Sequence, residues 1–222
     1  MESQLEGVTE ASGTGLGIGL AVGVALALWS ASAGIVNLIA ALNRVYDENE
    51  TRKFLKLRGT ALALTLGGVV FVAAGILVIT VLPEGGPASL VRWPILAAGF
   101  IFGLGVLYRV APDRQDAQWR WVTPGAVMAT VLWVLVSVAF SIYTSNFGKY
   151  NETYGALGAI VVTMLWLQLT ALAVLLGAEL NAEMEHQTRK DTTTGPAKPM
   201  GERGATMADT VGETAEQVKA GS

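Results

Sequence analysis

The sequence predicts an all-α membrane protein: a polytopic transmembrane helical bundle of five spans with a disordered C-terminal tail. Three observations predict it. Of the 222 residues, 52% are hydrophobic and 15% charged, whereas a soluble domain carries about a quarter charged residues. The charges are clumped, leaving charge-free runs at 11–43, 59–82, 93–108, 121–148 and 155–178. The runs also lack the polar–apolar alternation of a lipid-facing barrel. A hydrocarbon core of about 30 Å needs about 20 helical residues, so four runs are long enough outright. The 93–108 run reaches across when Arg92 and Arg109 snorkel to the two interfaces. The expected organisation is an extracytoplasmic segment at 1–14, a helical bundle at 15–186 and a cytoplasmic tail at 187–222. The spans fall at about 15–43, 59–82, 93–108, 123–146 and 154–180.

The first span is no secretory signal, since Glu2, Glu6 and Glu10 precede it without a basic residue and its apolar stretch is too long. Within it Gly15, Gly19, Gly23, Ala27 and Ala31 recur at spacing four, and Ser30 with Gly34 repeats the interval. Small residues so placed let membrane helices approach closely, so tight packing is expected there and at Gly99 and Gly103 of the third span. Asn37 and Asn43 are polar groups at or near membrane depth, fit for structural hydrogen bonds or for lining a path. The connection "NRVYDENETRKFLKLRG" offers Asp47 and Glu50 as a capping box. Its basic 52–58 stretch reads first as a topology signal lying on the membrane surface, and second as a segment suited to anionic lipid headgroups, at about 1 kcal/mol per basic residue.

"PEGGPASLVRWP" reads as a turn, and Trp119 and Trp121 as interfacial anchors. Thr123–Pro124 reads as the N-cap and first position of the fourth span. Trp133 and Trp166 fall inside apolar runs, where an indole N–H needs an acceptor, so both are expected to face the bundle. Beyond His186 the composition turns to Thr, Gly, Lys, Glu and Pro, as in disordered tails. Within it Met207, Val211, Ala215 and Val218 offer one short apolar stripe.

Lys and Arg number none, five, one, three, one and five in the successive non-span segments. Basic loops stay on the cytoplasmic side. The count therefore places the N-terminus outside and the C-terminus in the cytoplasm of a bacterial inner membrane. With no cysteine, neither disulfides nor thiolate metal sites arise. A net charge of −3 gives no footprint for nucleic acid.

The candidate polar path or structural network comprises Asn37, Gln168, Glu179 and Asn181. Glu179 stands about 36 Å along its helix from Gly155, at the interface rather than mid-bilayer. Arg44 and Arg58 are its candidate interfacial partners. Gln168 lies three helical turns before Glu179 on the same face, and Thr170 with Asn181 shares another. The single histidine, His186, stands beside Glu183 and Glu185, which reads as solvated helix-end polarity. No catalytic residue, metal ligand set or cofactor site is expected.

"ALWSASAGIVNLIAALNRVYDENETRKFLKLRGTALALTL" and "YGALGAIVVTMLWLQLTALAVLLGAELNAEME", with "YRVAPDR" and "WVTPGAVMATVLWVLVS" between them, resemble the YihY/BrkB family of bacterial inner-membrane proteins. The resemblance covers roughly residues 15–186. It implies six spans with both ends cytoplasmic, so this chain reads as a member lacking the first helix. The family carries an old ribonuclease BN label and descriptions as virulence factors, with no catalytic residues to transfer. The expected function is transport or handling of a lipid or small solute in the envelope. A scaffold or envelope-assembly factor is the alternative, and a ribonuclease ranks behind both. Membrane lipids and a second copy of the chain are the expected partners. A cavity lined by Asn37, Gln168, Trp133 and Trp166 would favour transport, and a bundle closed by small residues would favour scaffolding.

Overall fold

The computed structural model describes residues 2–82, 87–145 and 148–212. Five long helices follow one another: α1 (Glu2–Val45), α2 (Phe54–Val81), α3 (Pro87–Val110), α4 (Trp119–Ser145) and α5 (Gly148–His186). A single turn, α6 (Thr206–Asp209), lies in the tail. Each long helix contains a stretch apolar and long enough to cross a bilayer: Gly17–Val45, Phe54–Val81, Leu90–Val110, Trp119–Ser145 and Gly158–His186. Neighbours in sequence pack as neighbours in space, α4 against α5 most extensively, and α1 meets α5.

The buried core lies at one end of this bundle. Ile39, Leu42 and Tyr46 of α1 meet Ala61 of α2, Leu104 and Tyr108 of α3, Val122, Ala126 and Ala129 of α4, and Ala178 and Ala182 of α5. Toward the other end, large apolar side chains such as Leu20, Val70 and Val138 are exposed. In hydrocarbon that exposure costs little, because lipid tails are as apolar as leucine, and close packing with interhelical hydrogen bonds draws membrane helices together.

Several sequence expectations need correction. Gly15, Gly19 and Gly23 have no atom within 4 Å of where a side chain would start, and Ala27 and Ala31 are exposed, so this ladder faces away from the other helices. The close approach is elsewhere, at Gly125 of α4 and Gly177 of α5. A Cβ on Gly125 would lie 2.0 Å from the Gly177 carbonyl oxygen, and one on Gly177 would lie 2.5 Å from the Gly125 oxygen. Gly99 and Gly103 make ordinary contact with the Phe71 ring, at 3.6 and 3.8 Å.

Thr123–Pro124 does not start α4, which begins at Trp119 with Pro124 inside it. The preceding residues are fixed by the tail: Gln118 donates its backbone N–H to the Thr192 carbonyl and its side-chain amide to that of Thr193. Asp47 and Glu50 form no capping box. α2 starts at Phe54 with Lys53 as an N-cap that makes no side-chain bond, and Asp47 adopts a left-handed φ of 52°.

The disordered tail is the largest correction. Residues 187–212 fold back onto the core end, with Thr192, Thr193, Arg203, Ala205 and Ala208 buried. Residues 213–222 lie outside the described residues, and so do Ala215 and Val218 of the apolar stripe. One side chain explains much of this order. The Arg203 guanidinium donates to the carbonyls of Arg189, Lys190, Lys198 and Ala208, satisfying backbone groups that no helix or strand pairs.

Candidate functional site

The polar groups of the chain converge at the core end into a cap built from the α1–α2 connection, the α3–α4 loop, the end of α5 and the tail. At its centre Arg114 and Glu185 form a forked ion pair. Nη1 donates to Oε2 at 2.9 Å and Nη2 to Oε1 at 2.7 Å, with both side chains 0% exposed. Thr192 adds a third donor to Glu185 at 3.0 Å. The guanidinium also lies over the Tyr46 ring, 4.2 Å from its centroid. Burial tends to strip Arg114 of its proton, and the Glu185 hydrogen bonds and charge outweigh it, holding the guanidinium above its ordinary pKa. Burial pushes the Tyr46 phenol well above its ordinary value, and its hydroxyl, near the Asn181 amide, makes no well-formed hydrogen bond.

A second cluster adjoins it. Glu50 accepts from the Arg52 backbone, Nε and Nη2 and from Asn43 Nδ2. Asn43 in turn accepts the Asp113 N–H, and Asp113 accepts from the backbone and hydroxyl of Thr51. Bonds from Arg52 hold the Glu50 carboxyl below its usual range. Burial pushes Asp113 upward, but the Thr51 donors and the Arg52 charge carry it below. The tail is tied in at Glu48, whose carboxylate accepts the Thr206 N–H at 2.7 Å. Burial leaves that carboxyl raised despite the bond.

Asp191 and Asp209 organise the tail itself. Asp191 accepts from Thr193 and Lys198, and Asp209 from the N–H groups of Gly201, Arg203 and Gly204. Burial acts to raise both carboxyls, and these donors win, leaving both below the ordinary 3.8. A depressed carboxyl contributes stability that is present above its unfolded pKa and lost as pH falls through its folded one. The tail is therefore expected to loosen as pH drops below 3.8. Amide exchange followed downward from about pH 6 should show Gly201, Arg203 and Gly204 losing protection, and Asp209→Asn should show the loss already at neutral pH. Unchanged protection in both tests contradicts this account.

The sequence-derived candidates are distributed unevenly around this cap. Asn181 is fully buried and bridges two helices: its Oδ1 accepts the Gly125 N–H at 2.7 Å and its Nδ2 donates to the Val122 carbonyl at 3.1 Å. Both backbone groups flank Pro124, which lies inside α4 and has no N–H of its own. Asn37, Gln168 and Glu179 are exposed on the outer surface of the helices, as is Arg44. Among the described residues no ion pair joins Glu179 to Arg44 or Arg58. Arg58 instead packs on Trp29. Trp133 Nε1 donates to Thr170 at 3.2 Å, and its ring packs between Phe100 and Trp166.

Sequence reasoning missed Arg114, and it read Glu185 as solvated. One signal was available: Gly177, Asn181 and Glu185 repeat at spacing four, which places the glycine, the amide and the carboxylate on one face of α5. Among the described residues no group of three His, Cys, Asp or Glu side chains is placed to hold a metal ion.

Five apolar crossing helices held at one end by a buried polar cap define a multi-pass helical membrane protein. No solved structure matches the chain. Its sequence matches the family described as Virulence factor BrkB over residues 1–201, and the chain belongs to that family. It is 34% identical to the ribonuclease-like protein YfkH of Bacillus subtilis, over 74% of this chain and 64% of that protein. It is 31% identical to a UPF0761 membrane protein of Idiomarina loihiensis, covering 65% of this chain and 54% of the relative. For a UPF0761 membrane protein of Tolumonas auensis the identity is 32%, covering 66% and 53%. The chain thus spans between about half and two thirds of the length of these relatives.

Proposed function

We propose that the chain handles a membrane lipid or a small solute of the cell envelope from its lipid-facing side, in a bacterial inner membrane with the cap in the cytoplasm and the N-terminus outside. The observation that supports this is an outward-opening groove between α4 and α5. It encloses about 380 Å³ and is lined by Phe140, Tyr143, Leu165, Gln168, Leu169 and Leu172. An exposed amide among apolar side chains at membrane depth suits a ligand with one polar group and an apolar body. Among the described residues, side chains and close helix contacts fill the interior at several points. Trp133, Trp166 and Phe100 pack on one another, Asn37 and Gln168 face outward, and Gly125 and Gly177 bring α4 and α5 into backbone contact. Handling from the side fits this arrangement better than a central path.

The second reading, a scaffold or assembly factor, is supported by that same glycine contact and by the locked cap, with the outward small-residue face of α1 as the surface offered to another helix. The ribonuclease reading rests on the name of one relative and on the old family label. It finds no ligand cluster among the described residues.

Reconstituted protein is expected to speed transfer of a fluorescent phospholipid or small solute between leaflets, and Gln168→Leu to slow it several-fold. Transfer no faster than in protein-free liposomes would retire the handling reading and leave the scaffold. Tags at the two ends of the chain, both reached from one side of the same vesicles, would overturn the orientation.

A further inference from the structure

Arg58, in the second turn of α2, does not behave as an interfacial arginine. Its guanidinium carbon lies 4.1 Å from the centroid of the Trp29 ring, and Nη2 donates to the Trp29 carbonyl at 3.1 Å. Trp29 stands fourteen residues before Asn43, about 21 Å along α1. The Arg52 guanidinium lies beside the Asn43 amide, because one Glu50 carboxylate accepts from both. From Arg52, two extended steps and four helical ones raise the Arg58 backbone by at most about 13 Å. The Arg58 side chain therefore reaches away from the headgroup plane and into the bilayer, opposite to the usual snorkelling direction.

Nothing in the described chain neutralises it. No carboxylate pairs with Arg58 among the described residues, and its Nε is buried without a hydrogen bond. The Trp29 carbonyl supplies one bond and is already shared with the Ser32 hydroxyl. An arginine held at this depth needs an anion with at least two acceptor oxygens, which the guanidinium fork fits. The surroundings say where that anion comes from. Trp29, Leu26, Phe54 and Leu55 are 51, 65, 67 and 82% exposed, an apolar rim for acyl chains, and the exposed Lys53 and Lys56 flank the entrance with positive charge.

We infer that Arg58, held on the Trp29 ring, binds the phosphodiester of an anionic phospholipid drawn into the α1–α2 cleft at the cap end. The phosphate oxygens fill the open guanidinium donors, the ring fixes the fork, and the acyl chains lie against the exposed apolar side chains. Inorganic phosphate lacks the chains that carry it below the headgroup plane. The site uses other helices than the Gln168 groove and stands with or without lipid transfer.

The test is binding to the full chain, delipidated in detergent and titrated with phosphatidylglycerol, diacylglycerol and inorganic phosphate, read by native mass spectrometry. Phosphatidylglycerol should bind, and Arg58→Gln should weaken it by about tenfold or more. Arg58→Lys should restore part of the affinity, and Lys56→Gln should change it little. Diacylglycerol and inorganic phosphate should bind weakly and without regard to Arg58. Equal phosphatidylglycerol binding by wild type and Arg58→Gln overturns the site. Equal losses in Arg58→Gln and Lys56→Gln overturn it too, since diffuse surface charge then suffices. Tight, Arg58-dependent inorganic phosphate binding makes the ligand a soluble anion and overturns the lipid assignment. If Arg58→Gln cannot be recovered folded, Trp29→Leu carries the test: it removes the platform and keeps the charge, and unchanged affinity there overturns the proposal.

Discussion

Glu185→Gln is expected to destabilise the protein by about 3–5 kcal/mol, the largest effect of any substitution that keeps side-chain volume. The reason is the charge left behind. Arg114 is 0% exposed, its Nε already lacks a hydrogen bond, and its two remaining nitrogens are spent on Glu185. A neutral amide returns one acceptor at most and strands a cation in a low-dielectric core. Replacing both partners, as in Arg114→Met with Glu185→Leu, should recover most of the loss, because apolar groups of similar volume strand no charge. Tyr46→Phe should be near neutral, since the hydroxyl it removes makes no well-formed hydrogen bond. Melting of the purified variants in detergent checks all three. A Glu185→Gln loss below about 1 kcal/mol would mean that water or another anion reaches Arg114.

Gly125→Ala is expected to cost about 3 kcal/mol, at the upper end of what overpacking does. The new methyl would sit 2.0 Å from the Gly177 carbonyl oxygen and 2.5 Å from the Asn181 amide. A backbone oxygen cannot swing aside as a side chain can, so α4 and α5 must separate. That separation also breaks the Asn181 bonds to Gly125 and Val122, leaving buried polar groups unpaired. Gly177→Ala should behave alike. Gly19→Ala and Gly99→Ala serve as controls, the first with open space around it and the second with Phe71 at an ordinary 3.6 Å. Both should stay within about 0.5 kcal/mol of wild type. Equal changes at Gly19 and Gly125 would show that the crossing is no tighter than open surface, since helix propensity alone makes Gly→Ala a gain at both, and the close approach would lose its support.

The spans were legible because hydrocarbon imposes a length and a polarity on every crossing segment, and both are linear properties of sequence. That logic found all five helices, although the apolar stretch of α2 begins five residues early, at Phe54, and that of α5 runs six residues further, to His186. It failed where partners lie far apart in sequence. Spacing four marks small-residue faces equally well at Gly15–Gly23 and at Gly177, and only the tertiary contact distinguishes the open ladder from the crowded crossing. Tail composition suggested disorder because its apolar content is low. What orders it is one arginine meeting four carbonyls, which composition does not register. At the cap, Glu179 attracted attention as the first charge after the span. The buried charge proved to be Glu185, six residues on, where the helix has turned inward.

The bond from Thr206 to Glu48 joins residues 158 apart in the chain. During synthesis the helices can enter the bilayer one after another, yet this closure must wait until Thr206 itself has left the ribosome. Every nascent molecule therefore passes through a stage with Glu48 uncovered and Glu185 without Thr192.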